Sequence, residues 1–145
     1  MKTILIAGAS GFIASHVIKA SLDKNLMVMG IDILDQNPEE KVVHKNYTFK
    51  KMDVRDLNLE IMKNVDYVLH LAFVTNIPNS IQNPVDTTKD NIDMTVFLLN
   101  LCVEAKVKIF LFPSTVSLYG NNPITWNEDM MADPIEPYSF QKLSC

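Results

Sequence analysis

The sequence predicts an α/β fold built on a doubly wound parallel sheet of strand order 3-2-1-4-5. Three observations carry this expectation. Short apolar runs alternate with stretches of helical periodicity along the chain, the pattern of repeated β-α-β units. The fourth run, 65–72, is apolar on both faces apart from Asp66 and His70, and the fifth, 107–112, is nearly all apolar, as strands covered by helices on each side must be. A turn with two glycines, Gly8 and Gly11, follows the first run directly.

Residues 3–7 read as the first buried strand, and 12–24 as a helix whose apolar face is drawn from Phe12, Ile13, Val17, Ala20 and Leu22. A second strand covers 26–31 and ends at Asp32. Residues 35–46 are polar and contain Pro38, which reads as a loop with at most a short helix. A third strand covers 47–52 and ends at Asp53, with a short helix over 57–63. The fourth, 65–72, is apolar apart from Asp66 and His70. A long helix over 85–105 begins after Pro84, where proline is tolerated. The fifth strand, 107–112, is nearly all apolar. A loop rich in Asn, Pro and Asp spans 120–134, and a last helix starts near Glu136 or Pro137. In such sheets the ligand crevice lies at the carboxyl ends of the strands, so residues that terminate strands are the candidates for function.

With 145 residues, 48% hydrophobic and 21% charged, the chain suits one domain with a sizeable core, expected over 1–145. A net charge of −4 gives no electrostatic reason to expect nucleic acid or an anionic membrane as partner. Cys102 and Cys145 form neither a disulfide framework nor a metal-ligand spacing, which points to a reducing cytoplasm and no metal. The apolar opening is too short for a secretion signal. No run approaches the roughly 20 apolar residues of a membrane-spanning helix. His16 reads as a structural polar contact, His44 lies in a polar loop, and the eight methionines read as core filler. Trp126, in the loop before the last helix, either caps a substrate or packs.

The turn itself is Gly8-Ala9-Ser10-Gly11-Phe12-Ile13-Ala14. The first glycine permits the tight turn. The second lets the backbone approach a pyrophosphate at the helix N-terminus, where free N–H groups and the helix dipole favour an anion. Ala14 stands where many such sites keep a third glycine. Asp32, at the end of the second strand, supplies the acid expected about 20 residues on. Its carboxylate can accept both ribose hydroxyls of adenosine and repels a 2′-phosphate. With no Arg or Lys between Asp32 and Glu40, NAD is favoured over NADP.

Here the sequence resembles the extended short-chain dehydrogenase/reductases, also called the NAD-dependent epimerase/dehydratase family, whose cofactor domain is a Rossmann fold. The glycine turn looks like that family's G-x-x-G-F-I-G. Asp53-Val54-Arg55-Asp56 resembles its D-[VIL]-[RT]-D, whose first two residues contact adenine. His70-Leu71-Ala72-Phe73 resembles its H-L-A-A, which lines the cofactor phosphates and ribose. Asn91 stands at the asparagine of N-x-x-G-T, with Met94 in place of glycine. Ser114-Thr115-Val116-Ser117-Leu118-Tyr119-Gly120 resembles S-[ST]-x-x-V-Y-G, and Tyr138-Ser139-Phe140-Gln141-Lys142 is a Y-x-x-x-K. The departures are Ala14, Phe73, Met94 and Pro113. Phe73 lies close enough to the implied cofactor path to alter its fit.

The resemblance implies that NAD is held by Gly8, Ser10, Gly11, Phe12, Ile13, Asp32, Asp53, Val54, Leu71, Ala72, Phe73 and Asn91, together with Tyr138 and Lys142. It implies catalysis by Thr115, Tyr138 and Lys142. Tyr138 and Lys142 are four apart on one predicted helix and share a face. An ammonium held close favours the phenolate of a tyrosine whose free pKa is near 10. Tyr138 would then take the proton of a substrate hydroxyl as hydride leaves the same carbon. Lys142 would also bond the nicotinamide ribose, and the Thr115 hydroxyl would orient the substrate oxygen.

The family's sugar 4,6-dehydratases place Asp-Glu after the threonine, and uronate decarboxylases commonly place Glu. Val116 and Ser117 stand there in this chain, which disfavours dehydratase chemistry. The leading expectation is an epimerase acting on a nucleotide sugar with tightly held NAD. A nucleotide-sugar dehydrogenase or reductase exchanging free NAD(H), and a dinucleotide-binding module without chemistry, remain open alternatives. The family's length of about 300 residues implies that the later strands and a substrate domain lie beyond this sequence. The fifth strand is then a sheet edge, and the 145-residue stretch alone is expected to bind NAD weakly and turn over poorly. By the same analogy a homodimer forms through the helices at 85–105 and after 137.

Overall fold

The segment Thr-Ile-Leu-Ile-Ala is rich in β-branched residues and apolar after Thr3, so it gains from burial on both faces of a sheet. It forms strand β1 (Thr3–Ala7). Helix α1 (Phe12–Asp23), β2 (Met27–Asp32), β3 (Tyr47–Lys51), α2 (Leu59–Met62) and β4 (Tyr67–His70) follow. After them come α3 (Ile77–Gln82), α4 (Pro84–Thr88), a π turn at Lys89–Asp93, α5 (Met94–Glu104), β5 (Ile109–Leu111) and α6 (Pro137–Ser144). Short 3₁₀ turns occupy Val54–Asp56 and Val116–Tyr119. This computed structural model describes residues 1–36, 38, 41–121 and 125–145. Parts of the predicted loops 35–46 and 120–134 therefore lie outside the described residues.

The five strands form one parallel sheet of order β3-β2-β1-β4-β5, the doubly wound order predicted. Ile6 of β1 lies beside Gly30 of β2 and Leu69 of β4, and Asp32 beside Lys51 of β3. All strands run the same way, so the residues that end β1, β2 and β3 emerge at one end of the sheet. Asp66, the polar exception before β4, stands at the opposite end. It accepts from the Thr3 N–H at 2.9 Å and from Lys108 at 2.5 Å. His70 is fully buried, its ring stacked on Phe112 with centroids 5.5 Å apart.

Chain segments 1–72 and 97–112 make one compact unit, and 73–96 with 113–145 make a second. The first holds the sheet, with a core of Ile4, Ile6, Ala9, Ala14, Ile18, Leu22, Val28 and Leu69. The second contains α3, α4, the π turn and α6. No helix among the described residues is long and apolar enough to cross a membrane.

Four details depart from the predicted pattern. Helix α1 buries Ala14, Ile18 and Leu22, four residues apart, with Ser15 and Ser21 beside them, and leaves Phe12, Ile13 and Ala20 exposed. Packing on the sheet, against Ile4, Ile6, Val28 and Leu69, selects that stripe, so small serines take interior positions in place of larger apolar residues. Its end is an asparagine turn: Asn25 has φ 57°, and Leu26 N–H bonds Ser21 C=O at 3.1 Å. That closure delays β2 to Met27. β4 stops at His70 because Leu71 makes the final bond, to Ala7 C=O at 2.8 Å. The helical stretch from Pro84 is interrupted by the π turn.

β5 is one of the two edge strands, with β3 the other, and Ile109 and Leu111 remain 48% and 50% exposed. Ile6, by contrast, is fully buried at the centre of the sheet. Ile6→Ala is expected to cost about 2–5 kcal/mol in urea unfolding, against a change within about 0.5 kcal/mol for Val103→Ala on the exposed side of α5.

Candidate functional site

The glycine turn is held from two sides within the sheet-bearing unit. Gly8 and Ala9 both donate to the Ile31 carbonyl, at 2.9 and 3.0 Å. Gly8 has φ +85°, and a Cβ built on it would stand 2.5 Å from Ala72 N and 2.7 Å from the Leu71 carbonyl carbon. Both obstacles are backbone. Only glycine allows β1 to pass this close to the chain leaving β4, and the same contact brings Leu71 and Ala72 to the turn.

Gly11 has a different reason. Its backbone is extended (φ −80°, ψ 161°), which any residue adopts. A Cβ there would meet only the Gly8 carbonyl, at 3.3 Å, and otherwise open space. Gly11 offers α1 no side-chain cap, so the helix's first N–H groups face that space without an intrahelical acceptor. Phe12 and Ile13 flank it, exposed. The arrangement is a cradle that a methyl group would begin to fill, which fits an anion held by backbone N–H groups.

Asp32 completes the turn. One carboxylate oxygen accepts from Ser10 N–H at 2.9 Å and the other from Leu34 N–H at 2.9 Å, while the Ser10 hydroxyl donates to Leu34 C=O at 3.2 Å. Each oxygen retains acceptor capacity beyond those bonds, as recognition of a diol requires. One residue past β3 and Met52, Asp53 caps the 3₁₀ turn and accepts from Arg55 N–H at 2.8 Å and from the guanidinium at 2.9 and 2.7 Å. The guanidinium hydrogen bonds hold the Asp53 carboxyl below the usual carboxylate range. Val54 is buried, so its side chain packs inward. Gly30 was not singled out by sequence. A Cβ there would lie 2.8 Å from Ala9 Cβ and 2.7 Å from the Tyr47 hydroxyl, so it too lets the turn settle onto β2.

The second unit carries the remaining candidates. Glu136 caps α6 by accepting from Ser139 N–H at 3.0 Å, with Pro137 in the first turn. This follows the usual logic of an acceptor at the cap and proline just inside. Tyr138 is 8% exposed, and its N–H reaches the Ser80 hydroxyl at 3.3 Å. Lys142, one turn on, donates to the Pro113 carbonyl at 3.1 Å. Burial pulls its pKa down from 10.5 to about 8, opposed by Cys145.

Thr115 caps the 3₁₀ turn that follows it. It accepts from Ser117 N–H and donates to the Ser117 hydroxyl, both at 3.3 Å. Gly120 ends that turn at φ +61°, where a Cβ would strike the Asp133 carbonyl. Ile77, Val116, Ser117, Gly120, Trp126, Ile135, Glu136 and Ser139 line an open cleft beside the turn.

Asn91 sits in the π turn, fully buried. Its side chain bridges Val74, accepting from N–H at 2.7 Å and donating to C=O at 3.1 Å, and donates to Gln141 at 2.7 Å. Gln141 donates in turn to Thr87 and Thr88 at 3.0 and 3.1 Å. The amide of Asn91 is thus committed to the chain's own atoms. Gln141 went unnoticed in the sequence, where nothing marks it inside Y-x-x-x-K. Phe73 sits with this second group, its ring against both Tyr138 and Lys142. Among the described residues no group of three His, Cys, Asp or Glu is placed to hold a metal.

A family model for NAD-dependent epimerases and dehydratases matches residues 4–145. The chain belongs to the NAD-dependent epimerase/dehydratase family. Its members are NAD-dependent enzymes that include nucleotide-sugar epimerases and dehydratases. The dTDP-D-glucose 4,6-dehydratase of Dictyostelium discoideum is 32% identical over 98% of this chain and 38% of its own length. The UDP-N-acetylglucosamine 4-epimerase of Methanobrevibacter ruminantium M1, solved with UDP-N-acetylmuramic acid, superposes with a TM-score of 0.91. It is 35% identical and covers 99% of this chain and 48% of its own. MoeE5, solved with UDP-glucose and NAD, gives a TM-score of 0.87 at 28% identity, over 98% and 46%. The chain thus spans less than half the length of these three family members.

The depressed Lys142 pKa has a defined consequence for stability. Between about pH 8 and 10.5 the unfolded chain binds the proton that the folded chain has released, so this residue's contribution makes stability rise with pH across that window and costs most below it. A ¹³C NMR titration of Lys142 is expected to show a midpoint near 8; a midpoint at 10.5 contradicts the burial seen here.

Proposed function

We propose that this chain holds NAD at the Gly8–Ile13 turn and serves a nucleotide-sugar 4-epimerase type of reaction with Tyr138 as the base. The observation that carries the cofactor reading is the open space above Gly11, where uncapped helix N–H groups face outward. Asp32 would take the adenosine ribose, with Asp53, Val54, Leu71 and Ala72 along the same cofactor. When bound, NAD supplies the acceptor and donor of hydride.

The chain's own residues supply the proton chemistry. Tyr138 takes the substrate hydroxyl proton at its phenolic oxygen, favoured by the Lys142 ammonium one turn away. The Thr115 hydroxyl orients the substrate oxygen. Asn91 acts through Val74 and Gln141, holding the post-β4 chain and α6 in place. Elimination of water would call for an additional acid and base on the turn after Thr115. Val116 and Ser117 offer neither, which supports epimerase over dehydratase chemistry. Similarity to a dTDP-D-glucose 4,6-dehydratase keeps dehydration as the second reading.

The same reading takes the protein as cytoplasmic and homodimeric. What supports self-association is exposed apolar surface at Val85, Val96 and Val103 in one predicted interface helix and at Phe140 and Leu143 in the other.

Two substitutions test the two halves of the proposal. Gly11→Ala fills the cradle while leaving an allowed backbone, so NAD affinity should fall at least about tenfold with unfolding nearly unchanged. Equal NAD affinity in calorimetric titration would place the cofactor elsewhere. In any longer polypeptide that carries this chain, Tyr138→Phe should reduce epimerisation of a UDP-hexose by a factor of about 10² or more while NAD binding is retained. Surviving activity would overturn the base assignment, and a 4-keto-6-deoxy product from the unaltered protein would favour dehydration.

A further inference from the structure

The Lys142 ammonium is held from two directions besides its own helix. Its Nζ donates to the Pro113 carbonyl at 3.1 Å and lies over the face of the Phe73 ring, 4.0 Å from the centroid. The same ring meets Tyr138 almost at a right angle, at 77° with centroids 5.9 Å apart. One phenyl group therefore touches both members of the Tyr-Lys pair.

The chemistry of this contact is specific. A buried ammonium has lost water, which disfavours its charged form. The face of an aromatic ring carries partial negative charge and attracts a cation within about 6 Å of its centroid. Perpendicular ring pairs add a preferred geometry of their own. An alanine, the residue of the H-L-A-A pattern at this place, offers neither interaction.

We propose that Phe73 is a positioning residue: its ring face holds the Lys142 ammonium, and its contact with Tyr138 fixes the spacing of the pair before any ligand arrives. The function assigned to this contact rests on the reading of Tyr138 and Lys142 as the reacting pair, but the contact can be tested without cofactor or substrate. Cys145 raises the pKa of Lys142, and Tyr138 stands one turn earlier on α6 with its ring edge-on to Phe73. The flanking segments 73–74 and 113–115 contain no ionisable side chain.

The test uses the whole 145-residue chain without NAD, following the Lys142 side chain by ¹³C NMR against pH. Phe73→Leu keeps an apolar cover and removes the ring, so the midpoint should fall by about half a pH unit, a threefold change in the proton equilibrium. Phe73→Tyr keeps a ring face and should titrate with the wild type. Trifluorophenylalanine at position 73 preserves shape while withdrawing charge from the ring face, and it should reproduce the fall even if the leucine variant does not fold. An unchanged or raised midpoint with the fluorinated ring overturns the proposal. Loss of NAD binding in the wild type would overturn the proposed function instead and leave this titration as it stands.

Discussion

A single close approach governs the ligand end of the sheet: β1 leaves at Gly8 so near the backbone of Leu71 and Ala72 that a hydrogen atom is all the space admits. That contact requires the left-handed φ of Gly8, and the left-handed φ turns the chain into α1. The turn then aligns the Gly8 and Ala9 N–H groups on the Ile31 carbonyl and the Ser10 N–H on Asp32. Each bond is short-range, but together they fix where the N-terminus of α1 points. An anion site made of backbone N–H groups depends on that direction, because such groups cannot be re-aimed by a rotamer change.

Asp32 does two things at once. Its bonds to Ser10 and Leu34 tie the glycine turn to the chain after β2, and each oxygen keeps acceptor capacity beyond them. The acid read from sequence as a ribose ligand is thus also a brace for the glycine turn. In the second unit, buried polar groups play the corresponding part. Asn91, Gln141 and Thr87 satisfy one another inside α4, the π turn and α6, and a network of this kind is stable only when fully paired. It sets the rotation of α6, and with it the positions of Tyr138 and Lys142.

Much of this was legible from the residues. The strand order followed from five apolar runs, because parallel crossovers leave few topologies. Gly8, Asp32 and Thr115 stand at turns or caps, where sequence signals are local. The phase of α1 was not legible, since Ser15 and Ser21 go inward and Phe12 and Ile13 stay out. Helix α3, with Pro78 in its first turn and an Asn76 cap, is too short for periodicity to show. The π turn has no sequence signature, although it holds the buried Asn91. Phe73 reads in sequence as part of the cofactor path; only side-chain geometry shows its ring on Lys142. Gln141 is invisible for the same reason.

The proposed function depends above all on NAD entering the Gly8–Ile13 turn that Asp32 braces. Amide NMR of the ¹⁵N-labelled chain during NAD addition tests it most directly. NAD held at this turn should give saturable shifts largest at Gly8, Ser10, Gly11, Phe12 and Ile13, with Asp32 and Ala72 following the same binding curve. Shifts that do not saturate, or that leave this turn unmoved while others change, would contradict it.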